Sequence, residues 1–318
     1  MTIVSFVYDC YHQLLSSSTL FWPFIISSLL IATCIFVIEF SGKKKNLRIF
    51  LTWLFPKSIY SHPSSRLDTQ FVLINTVVYG LFFSSWLVSV TAFSSGVAQE
   101  LENLIGTQQT IPDGYLWPSM AMTLALFVTL DFAFFLSHYL QHKVSILWRF
   151  HRVHHSAEVL NPLTAFRQHP FDQLFEGVIV GLATGLVGGV FQYYFYGLAD
   201  VISLVGINLI SFGFFLVGVH LRHSHIRFRF PNWLSHIFMS PLQHQVHHSC
   251  LSHHQDKNFG GVLSIWDVLF RSIYLPQRNE NMQFGVSENA GKSISNIIDL
   301  YFLPFNYRYN PAENNKKK

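Results

Sequence analysis

The stretch HYLQHKVSILWRFHRVHH (residues 138–155) contains five histidines, and the rest of the chain is best interpreted from it. His138 and His142 are four residues apart, so they share one face of a helix. The three histidines that follow have the spacing i, i+3, i+4, which also places them on one helical face; they are His151, His154 and His155. Because imidazole is the commonest metal ligand at neutral pH, the stretch predicts a helical metal-binding segment.

The same spacing recurs in the segment QHQVHH, which contributes His244, His247 and His248. A lone histidine is more often a hydrogen-bonded polar group of a protein interior than a ligand, but eight at paired helical spacing favour a metal site. One zinc ion takes four ligands, or three with an open position, so eight imidazoles predict two ions. Imidazole suits zinc, copper, iron and nickel alike, so the spacing does not choose the metal.

The composition indicates a membrane protein. Half of the 318 residues are hydrophobic, 32 are Phe and only 12% are charged, which is too apolar for an ordinary soluble domain of this size. Cys10, Cys34 and Cys250 lie far apart with no C-x-x-C pair, so a metal would be held by nitrogen. The positive residues form no basic patch interleaved with aromatic side chains, so no nucleic-acid partner is expected.

Five segments of the chain are candidate membrane spans. They are Leu20–Phe40, Phe71–Ser95, a span that begins with Pro118–Leu130, Gly177–Ala199 and Val201–Leu221. With five spans, all 21 Lys and Arg residues fall on one side, which the positive-inside rule makes cytoplasmic, together with both histidine triplets. The sequence thus predicts an all-α integral membrane protein with about five membrane helices and a cytosolic helical cap that carries the histidines.

Glycine recurs every four residues in the fourth predicted span, at positions 177, 181, 185 and 189. Such a stripe favours close packing against another helix. A groove that admits a lipid chain is the alternative interpretation.

Three motifs, HYLQH, HRVHH and QHQVHH, resemble the histidine boxes of the fatty acid hydroxylase superfamily, also called the sterol desaturase family. The segments HHSAEVLNPLTAFRQHP (154–170) and DKNFGGVLSIWDVLF (256–270) are similar to those that surround the boxes in that family. The resemblance covers about residues 115–290. It implies a membrane di-iron enzyme that uses O2 to hydroxylate or desaturate a lipid.

The resemblance also implies a role for each matched histidine. The implied iron ligands are His138, His142, His151, His154, His155, His244, His247 and His248, with His223 of the HSHI segment as a ninth. His225 stands where the family commonly has Asn, so no role is transferred to it. Two Fe ions and O2 are the implied cofactors.

Two further positions bear on the substrate through the resemblance. Tyr139 follows the first histidine, where sterol C5-desaturases and C4-methyl oxidases typically have Arg, which disfavours a sterol. The segments HHSAE and DKNFGGVLSIWD look more like the alkylglycerol monooxygenase-like and bacterial lipid hydroxylase branch, in which the Glu after the second box is functionally important. Glu158 is therefore a candidate catalytic residue. Arg271 stands where the family motif WDxxFGT has Gly.

Asp131 is a second candidate catalytic residue, on a different argument. It precedes His138 by seven residues, about two helical turns, and a metal-bound imidazole usually donates its other N–H to a carboxylate or carbonyl. A charge that ends the third span is the alternative role. The other nearby histidines are left outside the predicted site: His253 and His254 as solvent-facing loop residues, and His169, His220 and His225 without a role.

These observations predict an N-terminal membrane region (1–114), a catalytic domain (115–290) and a cytosolic tail (291–318). The expected function is O2-dependent oxidation, chiefly hydroxylation, of a lipid or a fatty acyl or alkyl chain at the cytoplasmic face of a bacterial inner membrane or the endoplasmic reticulum. Desaturation stays open, as does a sterol or carotenoid oxidase of the same superfamily. A metal-binding transporter is the alternative outside the enzymes, disfavoured because nearly all histidines follow span ends rather than lying near the midplane.

The predicted oxidation needs a source of electrons outside this sequence. There is no G-x-G-x-x-G after a strand and no cysteine cluster for an iron–sulfur centre. A separate reductase, a small electron carrier or a reduced pterin is therefore expected as a partner, besides the lipid substrate in the membrane.

Overall fold

The computed structural model describes residues 22–82, 90–107, 116–195, 200–286, 294 and 296–305, and these residues are mostly helical. The α-helices are α1 Trp22–Glu39, α2 Leu47–Leu54, α3 Lys57–Tyr60, α4 Pro63–Phe82, α5 Val90–Ile105, α6 Trp117–Lys143, α7 Ser145–His155, α8 Pro170–Phe195, α9 Leu209–Phe215, α10 Asn232–Ser235, α11 Pro241–His247, α12 Ile265–Leu269 and α13 Ile297–Phe302. Two 3-10 helices, Pro162–Phe166 and Val219–Leu221, and one antiparallel hairpin, β1 Ser203–Leu204 with β2 Ile207–Asn208, complete the described elements.

Three of the described helices, α1, α6 and α8, are long and apolar enough to cross a membrane. They correspond to the first, third and fourth predicted spans. Many of their apolar side chains are exposed, including Leu30, Leu124 and Leu186. An exposed apolar helix face is what contact with lipid requires.

The second and fifth predicted spans have different outcomes. Helices α4 and α5 flank residues 83–89, so the middle of the predicted span Phe71–Ser95 lies outside the described residues. The prediction of one continuous span over Val201–Leu221 is wrong, because this segment contains the β1–β2 hairpin, the seven-residue α9 and a 3-10 helix. The assignment of every loop to one side depended on five spans, so the cytoplasmic placement of the site stays a prediction.

Glycine and asparagine interrupt the apolar run of the fifth predicted span. The hairpin turns at Gly206, where φ is +76°, and α9 is followed by Gly218, where φ is +85°. Such left-handed values suit glycine because it has no Cβ atom. Asn208 caps α9 by accepting from the Ile210 backbone N–H (3.0 Å), and its Nδ2 donates to the Thr123 carbonyl of α6 (2.8 Å). Local turn chemistry thus overrides hydropathy here.

The glycine stripe of α8 packs against α5. A Cβ atom on Gly185 would lie 2.6 Å from Cδ1 of Phe93, and one on Gly189 would lie 2.5 Å from the Ser94 carbonyl oxygen. The Ser94 hydroxyl also donates to the Gly185 carbonyl oxygen (3.0 Å). The close-packing interpretation of the stripe is therefore confirmed at these two glycines.

A buried ion pair ties α4 to the segment that follows α7. The Asp68 carboxylate accepts from Nε of Arg167 (2.6 Å), Nδ2 of Asn161 (2.7 Å) and the Thr164 hydroxyl (2.8 Å). Arg167 also donates from Nη2 to the Ser64 carbonyl oxygen (2.7 Å). These contacts offset part of the desolvation cost of the Asp68 carboxylate, although burial still raises its pKa. The pair holds the end of α7, and with it the second histidine motif, against α4.

Candidate metal centre

One group of histidines forms where the end of α6 meets α7 and α11. It contains His138 and His142 of α6, His151 and His155 of α7, and His247 of α11. Each residue offers one ring nitrogen, and these five atoms all lie within 4.8 Å of one another. We call this set the five-histidine group. The spacings i, i+4 within α6 and within α7 place the side chains on facing sides of the two helices, as the sequence predicted.

A second set of four contains His154, His223, His244 and His248, and we call it the four-histidine group. The Nε2 atoms of the last three lie 3.0, 3.1 and 3.2 Å apart, all turned toward one another. Two nitrogens bound at about 2.1 Å to one ion, at right angles, would be about 3 Å apart. Three converging imidazole nitrogens thus have the spacing of ligands around one cation.

The two groups are adjacent. His154 and His155 are consecutive yet belong to different groups, and so are His247 and His248. The ring centroids of His155 and His248 lie 4.7 Å apart across the boundary. Among the residues that the structure describes, no carboxylate belongs to either group. The arrangement therefore offers two neighbouring ion positions lined by nitrogen alone.

Backbone carbonyls fix the ring orientation of two members of the five-histidine group. Nδ1 of His138 lies 2.8 Å from the Phe259 carbonyl oxygen, and Nδ1 of His247 lies 2.8 Å from that of Lys257. A carbonyl only accepts hydrogen bonds, so Nδ1 carries the proton in both rings. Nε2 is then the nitrogen with a free lone pair, which is the arrangement that metal-binding histidines use.

Asp172, in the first turn of α8, fixes a third member and was not predicted from the sequence. Its buried carboxylate lies 3.1 Å from Nδ1 of His151 and accepts from Nε2 of Gln141 at 2.7 Å. The only sequence signal for it is an acidic residue directly after the His169-Pro170 pair. No helical spacing links it to His151, because the two residues belong to different helices.

Asp131 does not contact a histidine, contrary to the role predicted for it. Its carboxylate accepts from the backbone N–H groups of Val262 (2.6 Å) and Leu263 (3.0 Å) and from Nε1 of Trp266 (2.9 Å). Seven residues of helix rise by about 10 Å, which separates Asp131 from His138 along the axis. The residue holds the loop that follows α11 rather than an imidazole ring.

Asp267 supports the same loop from the other side. Its carboxylate accepts from the N–H groups of Phe259 and Gly260 (2.8 Å each) and from the Ser272 hydroxyl (2.6 Å). Burial raises the pKa of Asp267 to about 6. A Cβ atom on Gly260 would lie 2.6 Å from the Leu263 carbonyl oxygen, so the loop needs glycine there. The loop so built presents the two carbonyls that orient His138 and His247.

The remaining polar atoms of the groups fit bound cations. Burial lowers the pKa values of His154, His155, His244 and His248 well below the usual value, so these rings are neutral. In the five-histidine group, several buried ring nitrogens have no hydrogen-bond partner among the described residues: Nε2 of His142, His151, His155 and His247. An unpaired buried polar group costs about 1–3 kcal/mol. Several such ring nitrogens in one group therefore indicate metal ligands.

The other predicted or unassigned residues lie outside both groups. Glu158 is half exposed, and its carboxylate lies 3.9 Å from Nε2 of His62. Three other histidines form hydrogen bonds to the backbone. His169 accepts from the Phe171 N–H, His220 contacts the Phe24 carbonyl, and His225 contacts the Trp53 carbonyl. His253 is exposed as predicted, but His254 is fully buried, so its predicted solvent-facing position is wrong.

Three helices of this protein are long and apolar enough to cross a membrane, and its two adjacent histidine groups offer only nitrogen ligands. These features are typical of membrane proteins that bind metal ions in a histidine-rich centre. Residues 123–272 match the family model described as fatty acid hydroxylase. Over this range the chain thus resembles a fatty acid hydroxylase domain, and the resemblance predicted from the histidine motifs is confirmed. The matched range includes every member of both groups.

Two kinds of relative extend this result. The chain is 27% identical over 176 residues to an ornithine lipid hydroxylase of Rhizobium tropici, which covers 55% of this chain and 49% of the relative. It is also 27% identical over 241 residues to human alkylglycerol monooxygenase, covering 76% of this chain and 47% of the relative. The chain thus spans about half the length of these relatives. No solved structure matches it.

By name, these two relatives are a lipid hydroxylase and a monooxygenase. The three apolar helices of this chain indicate a membrane protein. The histidine groups and the family are compatible with iron binding.

Proposed function

We propose that this protein is a membrane-bound, di-iron, O2-dependent monooxygenase that hydroxylates a lipid acyl or alkyl chain. The observation that carries the proposal is the pair of adjacent histidine groups at the end of a membrane-capable helix, α6. A chain embedded in the membrane can approach such a centre without leaving the bilayer. The names of the relatives, a lipid hydroxylase and an alkylglycerol monooxygenase, support a lipid substrate.

The five-histidine group would hold one ion and the four-histidine group the other. Two bound iron ions would supply the redox chemistry that activates O2 toward an unactivated C–H bond. The rings of His138 and His247 keep their proton on the nitrogen that faces Phe259 or Lys257, and Nδ1 of His151 faces Asp172. Their contribution is to fix the ligand geometry before any ion arrives.

Two carboxylates act at different distances from the centre in this proposal. Asp131 is a positioning residue that holds the 256–267 loop. Glu158 follows the second histidine motif by three residues, and its half-exposed carboxylate is free to contact the polar head of a lipid. Glu158 is thus proposed as a substrate-binding residue and not as a metal ligand.

The partner and the location complete the proposal. A separate reductase, an electron carrier or a reduced pterin supplies the electrons, and the catalytic domain spans about residues 115–290 between an N-terminal membrane region and a cytosolic tail. The centre faces the cytoplasm from a bacterial inner membrane or from the endoplasmic reticulum membrane.

The function is tested by expressing the protein in cells grown under 18O2 and comparing whole lipid extracts by mass spectrometry. If the protein is a hydroxylase, one lipid class should gain one labelled oxygen in cells that express the wild type. The same lipid class should remain unlabelled in cells that express His247→Ala. A loss of two hydrogens without added oxygen would identify a desaturase instead. Unchanged lipids from cells that contain iron-loaded protein and its electron donor would overturn the enzyme proposal, and metal uptake into sealed vesicles would then support the transporter alternative.

A further inference from the structure

A third cluster of metal-binding side chains lies apart from the two histidine groups. It contains His253, His254 and Glu280, whose ligand atoms lie within 4.8 Å of one another. The two rings are close, with centroids 4.0 Å apart. We propose that these three residues form a separate site for one divalent transition-metal ion, zinc by preference, that joins two loops next to the candidate centre.

The buried member of the cluster is His254. Its side chain has no exposed surface, and neither of its ring nitrogens has a hydrogen-bond partner among the described residues. Nε2 lies 3.4 Å from Oε1 of Glu280. Two donor atoms bound to one tetrahedral zinc ion at about 2.0–2.1 Å are about 3.3–3.4 Å apart, so this pair already has the spacing of two ligands.

Glu280 is held in place by its other contacts. The Tyr274 hydroxyl donates to Oε1 (3.2 Å), and the Gln277 backbone N–H donates to Oε2 (2.9 Å). The glutamate side chain is only 11% exposed, so it is not a freely moving surface charge. An anchored carboxylate costs less conformational entropy when it binds an ion than a mobile one.

The donor set specifies the kind of ion. Two imidazoles and one carboxylate suit zinc, and three protein ligands leave a fourth position for water. Calcium and magnesium prefer oxygen ligands and are disfavoured by the two rings. His253 is exposed, so an ion would reach the site from solvent without passing through the two histidine groups.

An ion here would join the loop after α11 to the segment near residue 280. These segments already touch, because the Cys250 backbone N–H donates to the Gln283 carbonyl oxygen (2.7 Å) and the Gln283 backbone N–H donates to the Ser249 hydroxyl (3.3 Å). His247 and His248 directly precede this loop. The third site would therefore stabilise the position of α11 without taking part in the oxidation.

The test uses the full-length protein in detergent, first loaded with iron and then equilibrated with Zn2+. Bound zinc per chain is counted by plasma mass spectrometry after gel filtration. The wild type should retain one zinc ion more than His253→Ala or Glu280→Gln, and the added ion should raise its Tm by several degrees. His236→Ala is the matched control, because His236 is an exposed histidine whose Nδ1 contacts the Asn232 carbonyl (2.8 Å).

The spectroscopic form of the test replaces Zn2+ by Co2+. The difference spectrum of wild type minus His253→Ala should show visible absorption of a four-coordinate cobalt site. Equal metal uptake by wild type, His253→Ala and Glu280→Gln, or an equal loss in His236→Ala, would overturn the proposal. The third site is measured as the difference in bound metal between the wild type and each variant. This difference does not depend on which ions fill the two histidine groups or on the proposed oxidation.

Discussion

The substitution Asp172→Asn should weaken metal binding in the five-histidine group while leaving the four-histidine group nearly intact. The carboxylate accepts from two donors at once, Nδ1 of His151 at 3.1 Å and Nε2 of Gln141 at 2.7 Å. An amide of the same shape has only one oxygen. One of the two donors must therefore face the new NH2 group.

Both orientations of that amide are unfavourable. If its oxygen keeps the bond from Gln141, the NH2 group faces Nδ1 of His151, which lies between the two carboxylate oxygens at 3.1 and 3.2 Å. The ring then either keeps only the longer bond to the shared oxygen, against a repelling NH2 group, or moves its proton to Nε2, and in that case the nitrogen on the metal side has no lone pair. If the amide turns over, two buried NH2 groups face each other, which costs about 1–3 kcal/mol.

Loss of an orienting carboxylate typically reduces metal affinity about 10–100-fold, which is about 1.4–2.8 kcal/mol. The assay is competition with a chelator, read as metal per chain by plasma mass spectrometry. Asp172→Asn should release close to one of the two ions at a chelator concentration that leaves the wild type full. The matched control is Asp256→Asn, because the Asp256 carboxylate lies 3.9 Å from Nδ1 of His142, beyond hydrogen-bond distance, and bonds to Lys143 instead. Equal metal retention by Asp172→Asn and wild type, or equal loss in the control, would refute the reasoning.

Other predictions follow from the same structure. Purified protein from iron-replete cells should contain close to two iron ions per chain, besides any zinc bound at the third site; zinc in place of both iron ions with full activity under every growth condition would contradict the di-iron proposal. His154→Ala should lose at least one ion and all measurable turnover, whereas Glu158→Gln should keep both ions and lose turnover, measured by metal analysis and lipid mass spectrometry on the same samples. Burial lowers the pKa of His247 to about 3, so the metal-free protein should lose stability as the pH falls below about 6.5, by about 1.4 kcal/mol at pH 5.5 for this residue alone; thermal unfolding across pH tests it. Gly189→Ala should destabilise by about 1–3 kcal/mol because its Cβ would meet the Ser94 carbonyl, while Gly213→Ala, which has open space around it, should not; thermal unfolding in detergent compares them.

The histidine groups could be predicted because their main signal is local. Spacings of i, i+3 and i+4 place imidazoles on one helical face whatever the rest of the fold does, and eight of the nine members were predicted in this way. His223 follows a short 3-10 helix and has no such spacing, so only the family resemblance pointed to it. The division of consecutive histidines between the two groups depends on how α7 and α11 cross, which spacing does not show.

The fifth span shows where hydropathy fails. Val201–Leu221 has no charged residue, yet hydropathy averages Asn208 with many apolar residues and ignores the backbone preferences of Gly206, Asn208 and Gly218. Two glycines with positive φ and an asparagine cap divide the segment into short elements. Backbone N–H groups near the hairpin are satisfied by Thr123 of α6, whose hydroxyl accepts from Ile202 (2.8 Å). Non-helical backbone at membrane depth is tolerated where neighbouring protein supplies such partners.

The roles of the carboxylates could not be predicted from local spacing, because their hydrogen-bond partners are distant in the sequence. Asp131 and His138 share a helix, and this local relation suggested direct contact. The structure connects them through the loop instead: Asp131 holds the N–H groups of Val262 and Leu263, Asp267 holds that of Phe259, and the Phe259 carbonyl then accepts from His138. A peptide unit carries a donor and an acceptor, so a carboxylate that fixes one side of the loop also fixes the carbonyls on its other side. The Phe259 carbonyl that orients His138 is thus fixed by Asp267, which holds the Gly260 N–H of the same peptide unit, while Asp131, two turns before His138, holds the next residues of the loop.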